Sequence, residues 1–142
     1  MKHLAIDLKG NLEDKEYIHG KIIEYNKKYL SSADMEFISE DFCFTIKDEK
    51  GEIFGGVSGR SKRQILFIDF LWINENIRKR GFGIKLIEEV ENFATKRKCK
   101  MIMVDTFSFQ APDFYKNLGY EIYGELEDFP EGFNHYFLYK KI

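Results

Sequence analysis

Two groups of residues in this chain have types and spacings that could do chemistry. The first is Arg78-Lys79-Arg80-Gly81-Phe82-Gly83, three cations running into two glycines where an amphipathic helix is expected to begin. The first backbone N–H groups of a helix have no intrahelical acceptor, and glycine leaves them unobstructed by Cβ atoms. An anion placed there gains about 0.3–1 kcal/mol from the helix end, with charge-assisted hydrogen bonds added to it. The motif reads as a diphosphate cradle. The second is Asp69, the only charge in the run Gln64–Ile73, whose other residues are mostly apolar, β-branched or aromatic. Burial in such a strand would raise its pKa towards a value useful for proton transfer. A structural aspartate satisfied by backbone or hydroxyl donors is the alternative.

The elements that must position these groups follow from the pattern on either side. Gln64–Ile73 predicts a strand buried on both faces. Leu86, Ile87, Val90, Phe93 and Ala94 recur at i, i+1, i+4, i+7 and i+8 and predict one apolar stripe of a helix over 84–97. Cys99–Phe107 is the next buried strand, expected parallel to the first because a helix separates them. Upstream, Leu4–Leu8 alternates weakly as a first strand, and Ile18, Ile22, Tyr25 and Tyr29 mark a helix over Leu12–Leu30, broken by Ser31–Asp34. Met35–Glu40 reads as a further helical turn. Phe42–Lys47 and Glu52–Gly59 predict strands around the turn Asp48–Gly51, the second weakened by three glycines and open to a bulge. Arg60–Arg63 is expected to be a basic hairpin turn. Ala111–Asn117 predicts a short helix, with Gly119 suited to the left-handed position that ends it. Tyr120–Leu126 and Tyr136–Lys140 are the last two strands.

Composition narrows the classes. A chain of 142 residues with 14 Phe, 8 Tyr and 1 Trp can bury a core without staples and is expected to form a single domain over residues 1–142. Lys and Arg number 22 against 24 Asp and Glu, so the basic excess of a nucleic-acid binder is missing. Cys43 and Cys99 make no metal-ligand pattern, no metal is expected, and both read as buried free thiols of a reducing compartment. No run of about 18 apolar residues offers a membrane span. The Met1–Asp7 start lacks the apolar core of a signal peptide. A soluble cytoplasmic protein is expected, and the aromatic excess is compatible with a homodimer.

Arg78-Lys79-Arg80-Gly81-Phe82-Gly83 resembles the [Gln/Arg]-x-x-Gly-x-[Gly/Ala] motif of the GNAT superfamily of acyl-CoA-dependent N-acyltransferases. Downstream, Tyr115-Lys116-Asn117-Leu118-Gly119-Tyr120 looks like that family's late Tyr-x-x-x-Gly-[Phe/Tyr] signature. Asp105–Pro112 is similar to one bacterial branch of small single-domain members. The resemblance implies an α/β fold with a mixed, largely antiparallel sheet of six to seven strands and helices on both faces. It implies acetyl-CoA as cosubstrate. Leu71, Trp72 and Ile73 would hold the pantetheine arm, and Arg78, Lys79, Arg80, Gly81, Phe82, Gly83 and Ile84 would surround the pyrophosphate.

The same resemblance implies chemistry. A lysine-like amine has a reference pKa of about 10.4 and must lose a proton before it attacks a thioester. In one branch of the family a glutamate in an Ile-Glu-Phe context is the general base. Ile68-Asp69-Phe70 occupies that place here, one methylene shorter, which favours a relaying water. Tyr115 takes the place of the family's general acid, which protonates the departing thiolate. Ser108 stands where many members carry an asparagine, so a cofactor contact from that side chain is not implied. Asp105, near a strand end, is a second candidate for base or acceptor binding, with a capping role as its alternative. His135 could deprotonate an amine, since histidine ordinarily titrates near neutrality. His3 and His19 have no supporting pattern.

The acceptor, a small-molecule or peptide amine, is expected to be read by Tyr29–Asp41 and Glu125–Asn134. Asp34, Glu36, Glu40, Asp41, Glu125, Glu127, Asp128 and Glu131 could attract a cation there, or could simply be solvated surface. Direct transfer in a ternary complex is expected. Cys99, flanked by Lys98 and Lys100, offers a covalent alternative if that basic setting lowers its pKa. A catalytically silent acyl-CoA-binding module would keep the glycine turn without needing Asp69 or Tyr115. A dinucleotide-binding fold fits poorly, because no acidic residue about 20 positions downstream ends a matching strand.

Overall fold

The computed structural model describes residues 2–32 and 39–142. It divides into two compact units, residues 1–36 and residues 37–142. In the first, α1 spans Leu12–Asn26 and opens on a reciprocal cap: Asn11 Oδ1 accepts from the Asp14 N–H at 2.9 Å, and Asp14 Oδ2 accepts from the Asn11 N–H at 3.0 Å. The strand expected over Leu4–Leu8 does not form. Alternation that weak specifies a strand only where a ladder partner is present. The breaker over Ser31–Asp34 and the helical turn over Met35–Glu40 fall largely outside the described residues, and Glu40 itself opens a strand.

The second unit contains β1 (Glu40–Lys47), β2 (Ile53–Lys62), β3 (Ile65–Ile73), α2 (Phe82–Lys96), β4 (Met101–Phe107), α3 (Pro112–Asn117), β5 (Glu121–Leu126) and β6 (His135–Lys141). The six strands lie in the order β1-β2-β3-β4-β6-β5. Every neighbouring pair is antiparallel except β3–β4, which is parallel as the intervening helix requires. The stripe predicted for α2 is the one it buries: Leu86, Ile87, Val90 and Ala94 pack with Leu66, Ile68, Ile102, Val104 and Leu138 of the sheet. Among the described residues no helix is long and apolar enough to cross a membrane.

The bulge expected in the glycine strand falls instead on its partner β3, opposite the step from Ser58 to Gly59. Ser58 faces Phe70 and Gly59 faces Ile68, which leaves Asp69 as the extra residue on β3. Its effect shows in the burial phase. Leu66 and Ile68 point into the core before it, Leu71 and Ile73 pack against the core after it, and Asp69 and Phe70 are both exposed between. Without the extra residue, the second half of β3 would present its other face. The expectation of a strand buried on both faces is therefore corrected: Phe70 is 76% and Trp72 50% exposed. An antiparallel meander needs only one face covered. The hairpin turn is also shorter than Arg60–Arg63. β2 runs on to Lys62, and Arg63 takes the turn at φ 59.

Gly59 is the residue that lets the two strands close over the bulge. A Cβ there would lie 1.9 Å from the Phe67 carbonyl oxygen and 2.8 Å from the Phe42 ring. Gly59→Ala is expected to destabilise the protein by about 1–3 kcal/mol or more, read as a lower urea midpoint with an unchanged slope.

Candidate functional site

β3 and β4 share only four rungs, from Ile65–Met101 to Ile68–Val104. Beyond them β3 continues with β2 as far as Ile73, and β4 continues with β6 as far as Phe107. Their facing edges therefore part into a fork that begins at Asp69 on one arm and Asp105 on the other. Leu71–Ile73 therefore have no β4 partner along that edge. The bulge at Asp69 supplies the local cause of the parting, since an extra residue bends and over-twists its strand.

Above the fork opens a cavity of about 650 Å³ lined by Leu71, Trp72 and Ile73 of β3, Arg78, Lys79, Gly81, Phe82, Gly83 and Ile84 of the glycine turn, and Ile77. Arg80 alone of the expected cofactor residues is not in the lining; its guanidinium sits 5.5 Å over the Phe82 ring, which Lys85 also approaches at 5.3 Å. Gly81 caps α2 at φ 83 without a side-chain acceptor, and Lys79 also has a positive φ of 63. The first-turn N–H groups of Phe82, Gly83 and Ile84 have no acceptor within the helix. Arg78 does not project freely as a cation: its Nε donates to the Ile73 carbonyl at 3.1 Å and ties the turn to the end of β3.

The far wall comes from Phe109, Gln110, Ala111 and Phe114, which spacing alone did not single out as cavity residues. Gln110 braces this segment, its Oε1 accepting from the Phe107 N–H at 2.8 Å with Thr106 Oγ1 at 3.2 Å. Phe114 explains Gly83, because a Cβ there would meet its ring at 3.2 Å. The sequence signals for this wall were the similarity of Asp105–Pro112 and the short helix expected over Ala111–Asn117.

Tyr115 is held by the end of α3. Gly119, at φ 94, lets the Tyr120 N–H reach the Tyr115 carbonyl at 3.0 Å while its own N–H reaches Lys116 at 3.1 Å. The Tyr120 ring then meets the Tyr115 ring edge-on at 5.7 Å. The spacing of Tyr115, Gly119 and Tyr120 is thus the spacing of a helix-ending motif with its apolar clasp. Burial first, and the Asp105 carboxylate second, push the Tyr115 phenol well above its ordinary pKa, so it stays protonated. Tyr115 is buried and is not in the lining of the cavity.

Asp69 is not the buried carboxylate that was expected. As the bulge residue it is exposed, and Arg60 Nη1 reaches both its oxygens at 3.2 and 3.3 Å. It too is absent from the lining. On the other arm, Asp105 Oδ2 lies 2.7 Å from His135 Nε2. The His135 ring is flanked by Phe107 and Phe137 at 4.6 and 4.4 Å, and its Nδ1 is buried without a hydrogen-bond partner. Such an atom ordinarily costs about 1–3 kcal/mol. Ser108 Oγ accepts from the Asn134 N–H at 3.0 Å.

Other expectations are altered. Cys43 is exposed, because in β1 it alternates with the inward-facing Phe42. Cys99 is buried, and that burial raises its thiol pKa more than Arg97 lowers it, against the activation its basic neighbours implied. In the acidic loop, Asp128 accepts from the Gly132 N–H at 2.6 Å and Glu125 from Asn134 Nδ2 at 2.9 Å, so these two acids build the loop.

The glycine turn predicts an order of effects on CoA affinity, measured by calorimetry. Gly83→Leu should lower it at least about tenfold, or 1.4 kcal/mol, because its side chain must displace Phe114. Arg78→Ala should cost less than either Gly83→Leu or Gly81→Leu if, as the resemblance implies, backbone donors make the contact.

The sequence matches the acetyltransferase (GNAT) family over residues 11–120. It is 36% identical over 95 residues to the blasticidin-S acetyltransferase of Streptomyces morookaense, covering 66% of this chain and 70% of that protein. The crystal structure of an acetyltransferase from Bacillus cereus ATCC 14579 is similar at TM-score 0.82 and 40% identity, over 99% of this chain and 98% of that one. The fold is shared, at TM-score 0.63 and 18% identity over 80% of this chain and 69% of that one, with a Bacillus anthracis acetyltransferase solved in complex with acetyl coenzyme A. A strand fork closed by a glycine turn, in a sheet and sequence shared with these proteins, makes the chain a member of the GNAT family of acetyltransferases.

Proposed function

We propose that the protein transfers the acetyl group of acetyl-CoA directly to the primary amine of a small molecule. The observation that carries this reading is the cavity at the fork, whose wall joins the open edge of Leu71–Ile73 to the N-terminus of α2. An amide-rich pantetheine arm can pair along that edge as an added strand would, and a diphosphate belongs at the glycine turn that follows it. The thioester then lies towards the fork. A backbone N–H of the parted β3 edge is the economical donor to the tetrahedral oxyanion.

Tyr115 enters this reading as the proton donor to the CoA thiolate. Its phenol is kept neutral by burial and by Asp105, which suits a group that must hold its proton until the C–S bond breaks. Proton removal from the acceptor belongs at the mouth of the fork, where Asp69 and Asp105 stand one residue past the last β3–β4 rung. No acyl-enzyme is required. Cys99 is buried with a raised thiol pKa, and Cys43 is exposed on the edge strand β1. The likeness to a blasticidin-S acetyltransferase makes a cationic, amine-bearing small molecule the first acceptor class to test.

Steady-state assays with acetyl-CoA and a panel of amines that includes blasticidin S should show CoA release matched by acetylated amine. Binding of CoA with no transfer to any amine would instead identify a silent acyl-CoA-binding module. Tyr115→Phe keeps the ring that packs on Tyr120 and should lower kcat about 10²-fold or more with little change in CoA affinity. Rapid-quench experiments with labelled acetyl-CoA should detect no acetyl-enzyme. An intermediate that forms and decays at the turnover rate would overturn direct transfer.

A further inference from the structure

We infer that Gln110 contacts the cofactor, its Nε2 group donating to an amide carbonyl of the pantetheine arm from the β4 side of the fork. The contact rests on the acetyl-CoA reading and adds a side-chain donor to the backbone groups that this reading takes from β3. Gln110 is part of the wall of the cavity of about 650 Å³, as are Leu71, Trp72 and Ile73 of the other arm.

The orientation of its amide follows from the strand edge that it closes. One residue beyond the paired ends of β4 and β6, the Ser108 N–H donates to the Asn134 carbonyl at 2.8 Å. Hydrogen-bonded and non-hydrogen-bonded pairs alternate along an antiparallel ladder. The Phe107 N–H, one residue back, therefore points to the opposite edge of β4, the edge that β3 has left. There it meets Gln110 Oε1 at 2.8 Å, and the Thr106 hydroxyl approaches the same oxygen at 3.2 Å. A backbone N–H can only donate, so the end of the amide turned to it is the oxygen. The two Nε2 hydrogens are the donors that a ligand in the cavity can use.

The amide is also held in place before any ligand arrives. The Gln110 N–H donates to the Phe107 carbonyl at 2.9 Å, so main chain and side chain are both tied to one residue. The Phe107 and Phe109 rings stack at 5.3 Å, and Phe109 meets Phe133 edge-on at 4.9 Å. A donor fixed in advance loses little freedom on binding. Phe109, Ala111 and Phe114 in the same wall give it apolar neighbours, which strengthen a hydrogen bond made there. An arm lying in the fork then has polar partners on two sides. On one is the open backbone edge of β3; on the other, where a side chain has closed β4, is the Gln110 amide. A bracing role alone would use only the oxygen.

The test separates the two ends of this amide. Gln110→Glu keeps an oxygen for the Phe107 N–H and the Thr106 hydroxyl, and exchanges the Nε2 donor for a second acceptor. Calorimetry should show its CoA affinity about tenfold or more below that of wild type. The phospho-ADP half of CoA, which has the diphosphate and lacks the arm, should lose much less. This comparison separates a lost arm contact from repulsion of the phosphates. In wild type, the Gln110 side-chain NH₂ pair in proton–nitrogen correlation spectra should shift with CoA and stay in place with phospho-ADP, a readout that needs no variant to fold. The contact is overturned if Gln110→Glu binds CoA as wild type does, if both ligands weaken equally, or if saturating CoA leaves the NH₂ pair unmoved. A wild type that binds no CoA removes the cofactor reading itself; one that binds CoA with an indifferent Gln110 removes only this contact.

Discussion

The end of β3–β4 pairing after Ile68 and Val104 is the constraint from which the candidate site follows. Two neighbouring parallel strands ordinarily leave no room between them, because their backbone groups satisfy one another. Here β3, with its extra residue at Asp69, stays paired with β2 to Ile73, while β4 stays with β6 to its end. The edge groups left over are polar, directional and positioned by a rigid sheet. Such an edge is suited to a ligand made of amides, and the glycine turn closes the far end of the same path.

That arrangement explains why the glycines serve different ends. Gly59 permits the close approach of strands at the bulge, where a Cβ would strike the Phe67 carbonyl. Gly81 supplies the left-handed backbone that starts α2, and Gly83 leaves space for Phe114 on the opposite wall. Gly119 ends α3 and thereby fixes Tyr115. None of them touches the proposed chemistry through a side chain. Each sets where a neighbouring backbone or ring can be.

The electrostatics divide in the same structural way. The basic run at the turn is partly engaged, with Arg78 on the Ile73 carbonyl and Arg80 and Lys85 over Phe82. The first-turn N–H groups of α2 have no acceptor within the helix. On the acceptor side, acids that looked like a binding wall are partly structural, since Asp128 and Glu125 hold their own loop. The Asp105–His135 pair differs from them in having a shielded nitrogen with nothing bound to it.

The sequence by itself determined the parts that depend on local pattern. The apolar stripe of α2, the glycine turn that opens it, the short α3 with its Gly119 ending, the parallel step from β3 to β4 and the family resemblance were all legible, because period and turn chemistry act over a few residues. The tertiary structure alone decided which side chains are buried and which meet. A one-residue bulge exposed Asp69 and delivered it to Arg60, although its flanking residues read as core. Pairing of β4 with β6 brought Asp105 to His135 across a separation of 30 residues, which no spacing rule encodes. The same pairing set Phe107 and Phe137 around the ring. Burial and partnership are properties of register and twist, and these are settled only when the strands are laid side by side.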